Sequence, residues 1–193
     1  IEPIFCYAYN KLERDSSIAM LGFQLVDINR KKNHSFFPMI SIGVFGTVIY
    51  KSMVFLGLYF EPLMFISGAN MFMPRSVFYE VGMFDENIFM YGEEQDLTHR
   101  IHNIGKKTFF CRNKKIIHLE GGTSGDSEIA LRRRIDSIEY YCEKYGKSFK
   151  SYLDKEIKIN KHKLYIANIF KHPNRGKFSN NIEVMLQYLE RQK

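Results

Sequence analysis

The chain has 193 residues, 45 % of them hydrophobic and 25 % charged, with 17 Phe, 12 Tyr and no Trp. That length and apolar content fit one packed domain with an appendage, and they exclude a disordered or low-complexity chain. The formal charge of +7 favours an anionic partner, whether nucleic acid, anionic lipid headgroup or nucleotide-sugar phosphate, without choosing among them.

The cations fall in short runs, Lys31–Lys32, Lys114–Lys115 and Arg132–Arg134, of the kind that form solvated faces. No nucleic-acid motif or aromatic–basic platform accompanies them, so nucleic acid is not an expected partner. Cys6, Cys111 and Cys142 are widely spaced, with no CxxC or Cys/His zinc pattern. They read as free thiols of a reducing compartment. No secretory leader is expected, and the opening on Ile1 leads us to expect a further segment upstream.

In chain order, residues 18–26 (IAMLGFQLV) read as a buried strand, closed by a polar turn over Asp27–His34. Met39–Phe60 is almost wholly apolar around Lys51, and its pattern is compatible with strand or helix. A membrane span needs roughly 20 apolar residues, and a central Lys costs about 2.5–3.5 kcal/mol on insertion scales. With Gly43, Gly46 and Gly57 interrupting the run, buried or interfacial structure is preferred to a span. Phe65–Met73 is strand-like. Pro74 suits the start of a short helix to Val81, with Gly82 as its left-handed stop. Phe84–Tyr91 reads as a loop.

A helix is then expected from about Glu93 to Ile104, with Leu97, Ile101 and Ile104 on one face and Gly105 at its end. Two short strands, Thr108–Cys111 and Ile116–His118, are expected on either side of a basic turn. After the Gly121–Ser127 link, Leu131, Ile135, Ile138, Cys142 and Tyr145 repeat at helical steps up to Gly146, with Cys142 in the core. A last helix is expected from near Asn180, where Asn180 and Glu183 have capping-box spacing, with Ile182, Met185, Leu186 and Leu189 on its apolar face. His34, His99, His102, His162 and His172 fit no ligand pattern and read as surface residues.

Chemistry concentrates in Ser67–Thr123. Glu93, Glu94 and Asp96 crowd one helix start. Their mutual repulsion is partly offset by the helix dipole. Carboxylates held together resist full ionisation, which suits one of them to act as a general base. Gly68–Ala69 allows a ligand to approach the backbone closely. His118, at a strand end, has the chemistry of a metal ligand.

In order and spacing these pieces resemble the family 2 glycosyltransferases of the GT-A fold. The likeness is strongest to the bacterial O-antigen and capsule enzymes, including rhamnosyltransferase-like members. It rests on Ser67-Gly68-Ala69, on Val81-Gly82-Met83-Phe84-Asp85-Glu86 and on Phe89-Met90-Tyr91-Gly92-Glu93-Glu94-Gln95-Asp96-Leu97 with Arg100. Ile116-Ile117-His118 and Gly121-Gly122-Thr123 complete it. Residues 67–123 carry the match, and residues 18–66 follow it less closely.

The resemblance implies an α/β fold: a partial GT-A (nucleotide-diphospho-sugar transferase) fold over residues 1–125, followed by a helical C-terminal extension over residues 126–193. It puts Glu94 at the position of the catalytic base, where the family usually has Asp. Glu93 and Asp96 would orient the acceptor or its loop, with Asp96 also able to pair with Arg100. Gly68, Ala69, Asp85 and Arg100 would line the substrate, and His118 would complete a metal site for Mg²⁺ or Mn²⁺. The implied activity is inverting transfer of a sugar from a nucleotide-sugar donor to a glycan or lipid-linked acceptor in cell-surface polysaccharide synthesis. The implied location is cytoplasmic, at the inner face of the plasma membrane; the charge of the basic tail separately suggests a contact with anionic lipid.

The family's nucleotide-binding half, with its Asp-x-Asp metal motif, is not in this sequence. Asp27-Ile28-Asn29 has a single carboxylate and does not supply it. Residues 1–193 alone are therefore expected to be inactive. The alternative reading is a non-catalytic module, derived from such an enzyme, that binds glycan or a partner chain.

Overall fold

The structure is a computed structural model that describes residues 4–119 and 127–192. Its elements are α1 (Ile4–Arg14), β1 (Ile18–Val26), β2 (Phe36–Pro38), α2 (Gly43–Leu56), β3 (Met64–Ile66), a 3₁₀ turn (Gly68–Asn70), α3 (Arg75–Glu80), α4 (Glu93–Asn103), β4 (Lys107–Ile117), α5 (Ser127–Lys144), α6 (Phe149–Ile169) and α7 (Arg175–Arg191). The fold is mixed α/β. The backbone divides into two compact units: Ile1–Met39 with Tyr50–Asn87 and Glu93–Gly122, and Ile40–Ile49 with Ile88–Gly92 and Thr123–Lys193.

In the first unit β1 and β4 run parallel, from Ile18 opposite Lys107 to Val26 opposite Ile117. All nine residues of β1 are buried, as expected of a parallel strand covered on both faces. One face meets Ile4 and Ala8 of α1 through Leu21 and Phe23. The other meets Val77, Val81, Leu97 and Ile101 of the α3–α4 region through Ala19 and Met20. Along its edge away from β4, Leu21 and Phe72 exchange two backbone hydrogen bonds of 2.7 and 2.9 Å.

The two short strands and basic turn expected over residues 108–118 are one strand. Phe23 pairs with Cys111 and Gln24 with Lys115, so Arg112, Asn113 and Lys114 bulge out of β4. The polar trio bulges so that Ile116 and Ile117 can stay in register with Leu25 and Val26. Phe65–Met73 is likewise not one strand. β3 ends at Ile66, the 3₁₀ turn follows, and Phe72 returns to β1. Gly22 permits that close return: a Cβ there would lie 2.5 Å from Ile66 Cγ2 and 2.7 Å from Asn70 Oδ1.

The ambiguous apolar run contains a helix, α2. Its inner side, with Tyr50, Met53 and Val54, packs on Phe36, Met64 and Phe110. Among the described residues no helix is long and apolar enough to cross a membrane. The stops act as read: Gly82, Gly105 and Gly146 have φ of 83°, 74° and 59°, a region open to glycine at no steric cost.

His102, expected at the surface, is half-buried, and its Nε2 lies 3.0 Å from Glu61 Oε1. Burial pushes its pKa down, and the Glu61 charge only partly opposes that. The folded chain therefore resists taking up a proton that the unfolded chain accepts near pH 6.5. Stability is expected to be flat above that pH and to fall as pH drops below it, until the lowered folded pKa is passed. Urea midpoints between about pH 7.5 and 5.5 measure this, and His102→Gln should flatten the slope.

In the second unit α5, α6 and α7 enclose Ile135, Ile138, Cys142, Phe149, Leu153, Ile157, Val184, Met185 and Tyr188. Cys142 is thus core, as its stripe implied. All three cysteines are unpaired. The last helix does not begin near Asn180. α7 starts at Arg175, five residues earlier, and Asn180 lies inside it. The reason is tertiary: Asn180 Nδ2 donates to Glu128 Oε2 at 3.3 Å and Asn181 Nδ2 to Asn160 Oδ1 at 3.2 Å, so these amides join helices instead of capping one. The Ser148 hydroxyl caps α6, accepting from Ser151 N–H at 3.1 Å.

Candidate active site

Two segments of the first unit meet at the carboxylate cluster. The chain enters α4 through Tyr91 and Gly92, with φ of 66° and 149°. A tyrosine in the left-handed region stores local strain. Glu93 and Glu94 are half-exposed, whereas Asp96 is 0 % exposed.

Glu94 reaches across to the 3₁₀ turn, and its Oε1 accepts the Gly68 N–H at 3.0 Å. Only glycine leaves room for this. A Cβ on Gly68 would lie 2.6 Å from Glu94 Oε1 and 3.2 Å from its Cγ. Gly68 and Ala69 are themselves exposed. The structure thus joins two predicted residues that are 26 positions apart in sequence.

The turn is pinned from below by Asn70, which is 3 % exposed. Its Oδ1 accepts Phe23 N–H at 2.7 Å and its Nδ2 donates to Ser35 carbonyl at 3.4 Å. Sequence reasoning passed over Asn70. The available signal was a lone amide inside an otherwise apolar run.

Asp96 and Arg100 form the pair their spacing predicts. Arg100 Nε and one terminal nitrogen lie 2.9 and 2.7 Å from Asp96 Oδ2. The other terminal nitrogen donates to the Val81 carbonyl at the end of α3. This pair therefore ties α4 to α3. Gln95, also overlooked, is buried and donates to the Met39 carbonyl.

Asp85 Oδ1 accepts from Asn87 N–H at 3.0 Å and from its side-chain amide at 2.9 Å, shaping the loop after Gly82. His118 extends the β1–β4 ladder by one bond, its N–H donating to Val26 carbonyl at 2.9 Å. Among the described residues no group of three or more His, Cys, Asp and Glu side chains is placed to hold a metal ion. Gly121, Gly122 and Thr123 lie outside the described residues.

Over 65 residues, 34 % of this chain, the sequence is 33 % identical to N-acetylglucosaminyl-diphospho-decaprenol L-rhamnosyltransferase of Mycobacterium tuberculosis (strain CDC 1551 / Oshkosh). The protein of the same name from the H37Rv strain matches equally. The relationship is partial. The matched stretch spans 21 % of each relative's length. No family model and no solved structure matches the chain. The similarity links part of this chain to a glycosyltransferase.

Chemically the arrangement offers a carboxylate positioned by a backbone N–H beside an exposed glycine–alanine turn. That is the geometry of a fixed proton acceptor at an accessible surface.

Proposed function

We propose that this chain is the acceptor-side part of an inverting glycosyltransferase of the GT-A type, with Glu94 as general base. In the reaction an acceptor hydroxyl gives its proton to the Glu94 carboxylate as its oxygen bonds to the anomeric carbon. The bond from that carbon to the nucleoside diphosphate breaks, and the leaving group departs with the electron pair. Configuration at the anomeric carbon inverts. Glu93, beside the base, and the Gly68–Ala69 turn would border the acceptor. Asp96 and Arg100 act behind them by holding α4 in place.

The observation that carries this reading is the hydrogen bond from Gly68 N–H to Glu94 Oε1, which gives the acidic helix start a fixed partner in the Gly-Ala turn. The partial likeness to a rhamnosyltransferase supports a sugar donor, and that relative's printed name includes a decaprenol-linked diphosphate sugar. We extend this to a nucleotide-sugar donor and a lipid-linked acceptor at the inner face of the plasma membrane.

The test is a transfer assay on the longest polypeptide the gene encodes, with a panel of nucleotide-sugars and polyprenyl-diphosphate-sugar acceptors. Transfer with inverted anomeric configuration is expected. Glycan binding without transfer from any donor would overturn the enzyme reading in favour of a binding module.

A further inference from the structure

α2 packs by one side and is apolar on both. Tyr50, Met53 and Val54 face the core. At 3.6 residues per turn, positions 45, 48, 49, 52, 55 and 56 share an arc of about 120° on the opposite side. There Phe45 is 80 %, Phe55 75 % and Leu56 54 % exposed, and Val48 and Ile49 are exposed as well. Ser52 is the one polar residue of that arc. Past the helix end, Leu58, Phe60 and Leu63 continue the exposed apolar surface. A helix that is apolar all round is normally covered, and exposed apolar patches of this kind mark an interaction surface.

The charges on and beside α2 are cationic, while Glu61, between Phe60 and Leu63, lies 3.0 Å from His102. Met39–Phe60 contains no Asp or Glu, and its one charged residue is Lys51. Lys51 is exposed beside the apolar arc. Lys32 Nζ donates to the Phe55 carbonyl at 2.7 Å and lies 5.9 Å from the Phe55 ring centroid. Arg112, in the β4 bulge, sits beside the end of α2: a Cβ on Gly57 would be 3.4 Å from Arg112 Cβ.

We propose that the outer face of α2 docks into the headgroup–acyl boundary of an anionic lipid membrane, with its aromatic and aliphatic side chains inserted and Lys51, Lys32 and Arg112 against the headgroups. Exposed Phe and Leu flanked by cations are what such a boundary binds. Cations beside the apolar arc favour an anionic surface over a second copy carrying the same charges. Insertion stops at the boundary, since 14 residues reach about 21 Å and the hydrocarbon core is about 30 Å thick. The inference deepens the membrane location of the proposed function by naming the surface that meets the lipid, and it needs no reaction.

The experiment is vesicle flotation of the purified chain. Vesicles of phosphatidylcholine mixed with phosphatidylglycerol are expected to carry it, and vesicles of phosphatidylcholine alone to carry much less. Phe45→Ser with Phe55→Ser should reduce binding at least about tenfold, and Lys51→Glu should weaken it further at low salt. Both phenylalanines are exposed, so circular dichroism of the double variant should match that of the unchanged chain. No flotation, flotation unaffected by the double substitution, or equal binding to neutral vesicles would overturn the proposal. So would a solution dimer that the double substitution dissolves, which would assign the face to a second copy. Failed flotation of this chain alongside active sugar transfer by the longest polypeptide the gene encodes would sink this inference and leave the proposed function standing.

Discussion

Replacing Asp96 by alanine is expected to lower stability by roughly 3–5 kcal/mol, because it strips a buried cation of its partner. Asp96 has no exposed surface, and the Arg100 side chain is 17 % exposed. Without the carboxylate, a guanidinium still bonded to the Val81 carbonyl would remain largely desolvated. For a chain of this length that loss corresponds to a fall of roughly 6–20 °C in melting temperature. Asp96→Ala combined with Arg100→Met should cost less than Asp96→Ala alone, since the double variant leaves no orphaned charge. Urea unfolding of the four chains measures the coupling. If instead Asp96→Ala cost under about 1 kcal/mol while abolishing transfer, the carboxylate would belong with the substrate and not with the α3–α4 junction.

That distinction shows where the sequence was legible. The i, i+4 spacing of Asp96 and Arg100 announced a pair, but only placement of α3 made it a structural tie. β1 was readable because a run of nine residues with Gln24 as its one polar side chain is too apolar to be left exposed. α3 and α4 were readable because Pro74, Gly82 and Gly105 mark their ends with backbone chemistry that survives any packing. α2 was not. A segment apolar on every side has no period, so strand and helix look alike until Tyr50 is seen packing inward. α1 was missed for the opposite reason: only Ile4 and Ala8 of its eleven residues are buried, too thin a stripe to stand out. β4 misled because a polar bulge reads as a turn, and α7 because Asn180 spends its amide on Glu128 and not on a cap. At the site, Gly68 and Glu94 were each legible as candidates. Their contact was not, since nothing local links positions so far apart, and neither was Asn70, which holds the turn in place.

Glu94→Gln is expected to lower kcat by about 10²–10⁴-fold, the usual contribution of a positioned general base, with little change in KM. Glutamine keeps the length of the side chain and an oxygen able to accept the Gly68 N–H, so position is preserved and only proton acceptance is lost. Gly68→Ala makes the complementary change. The new methyl would sit 2.6 Å from Glu94 Oε1, so the carboxylate must swing away while keeping its chemistry. A half-exposed, flexible side chain can do this at small cost in stability, so unfolding midpoints should hardly move. Transfer should fall by an intermediate factor, because misplacement of the reacting group is costly even when the group survives. Steady-state kinetics on both variants, made in the longest polypeptide the gene encodes, separates the roles. A large loss in Glu94→Gln with none in Gly68→Ala would mean the base works without its backbone partner. Unchanged turnover in both would remove Glu94 from the chemistry and leave the acidic helix start as part of a binding surface.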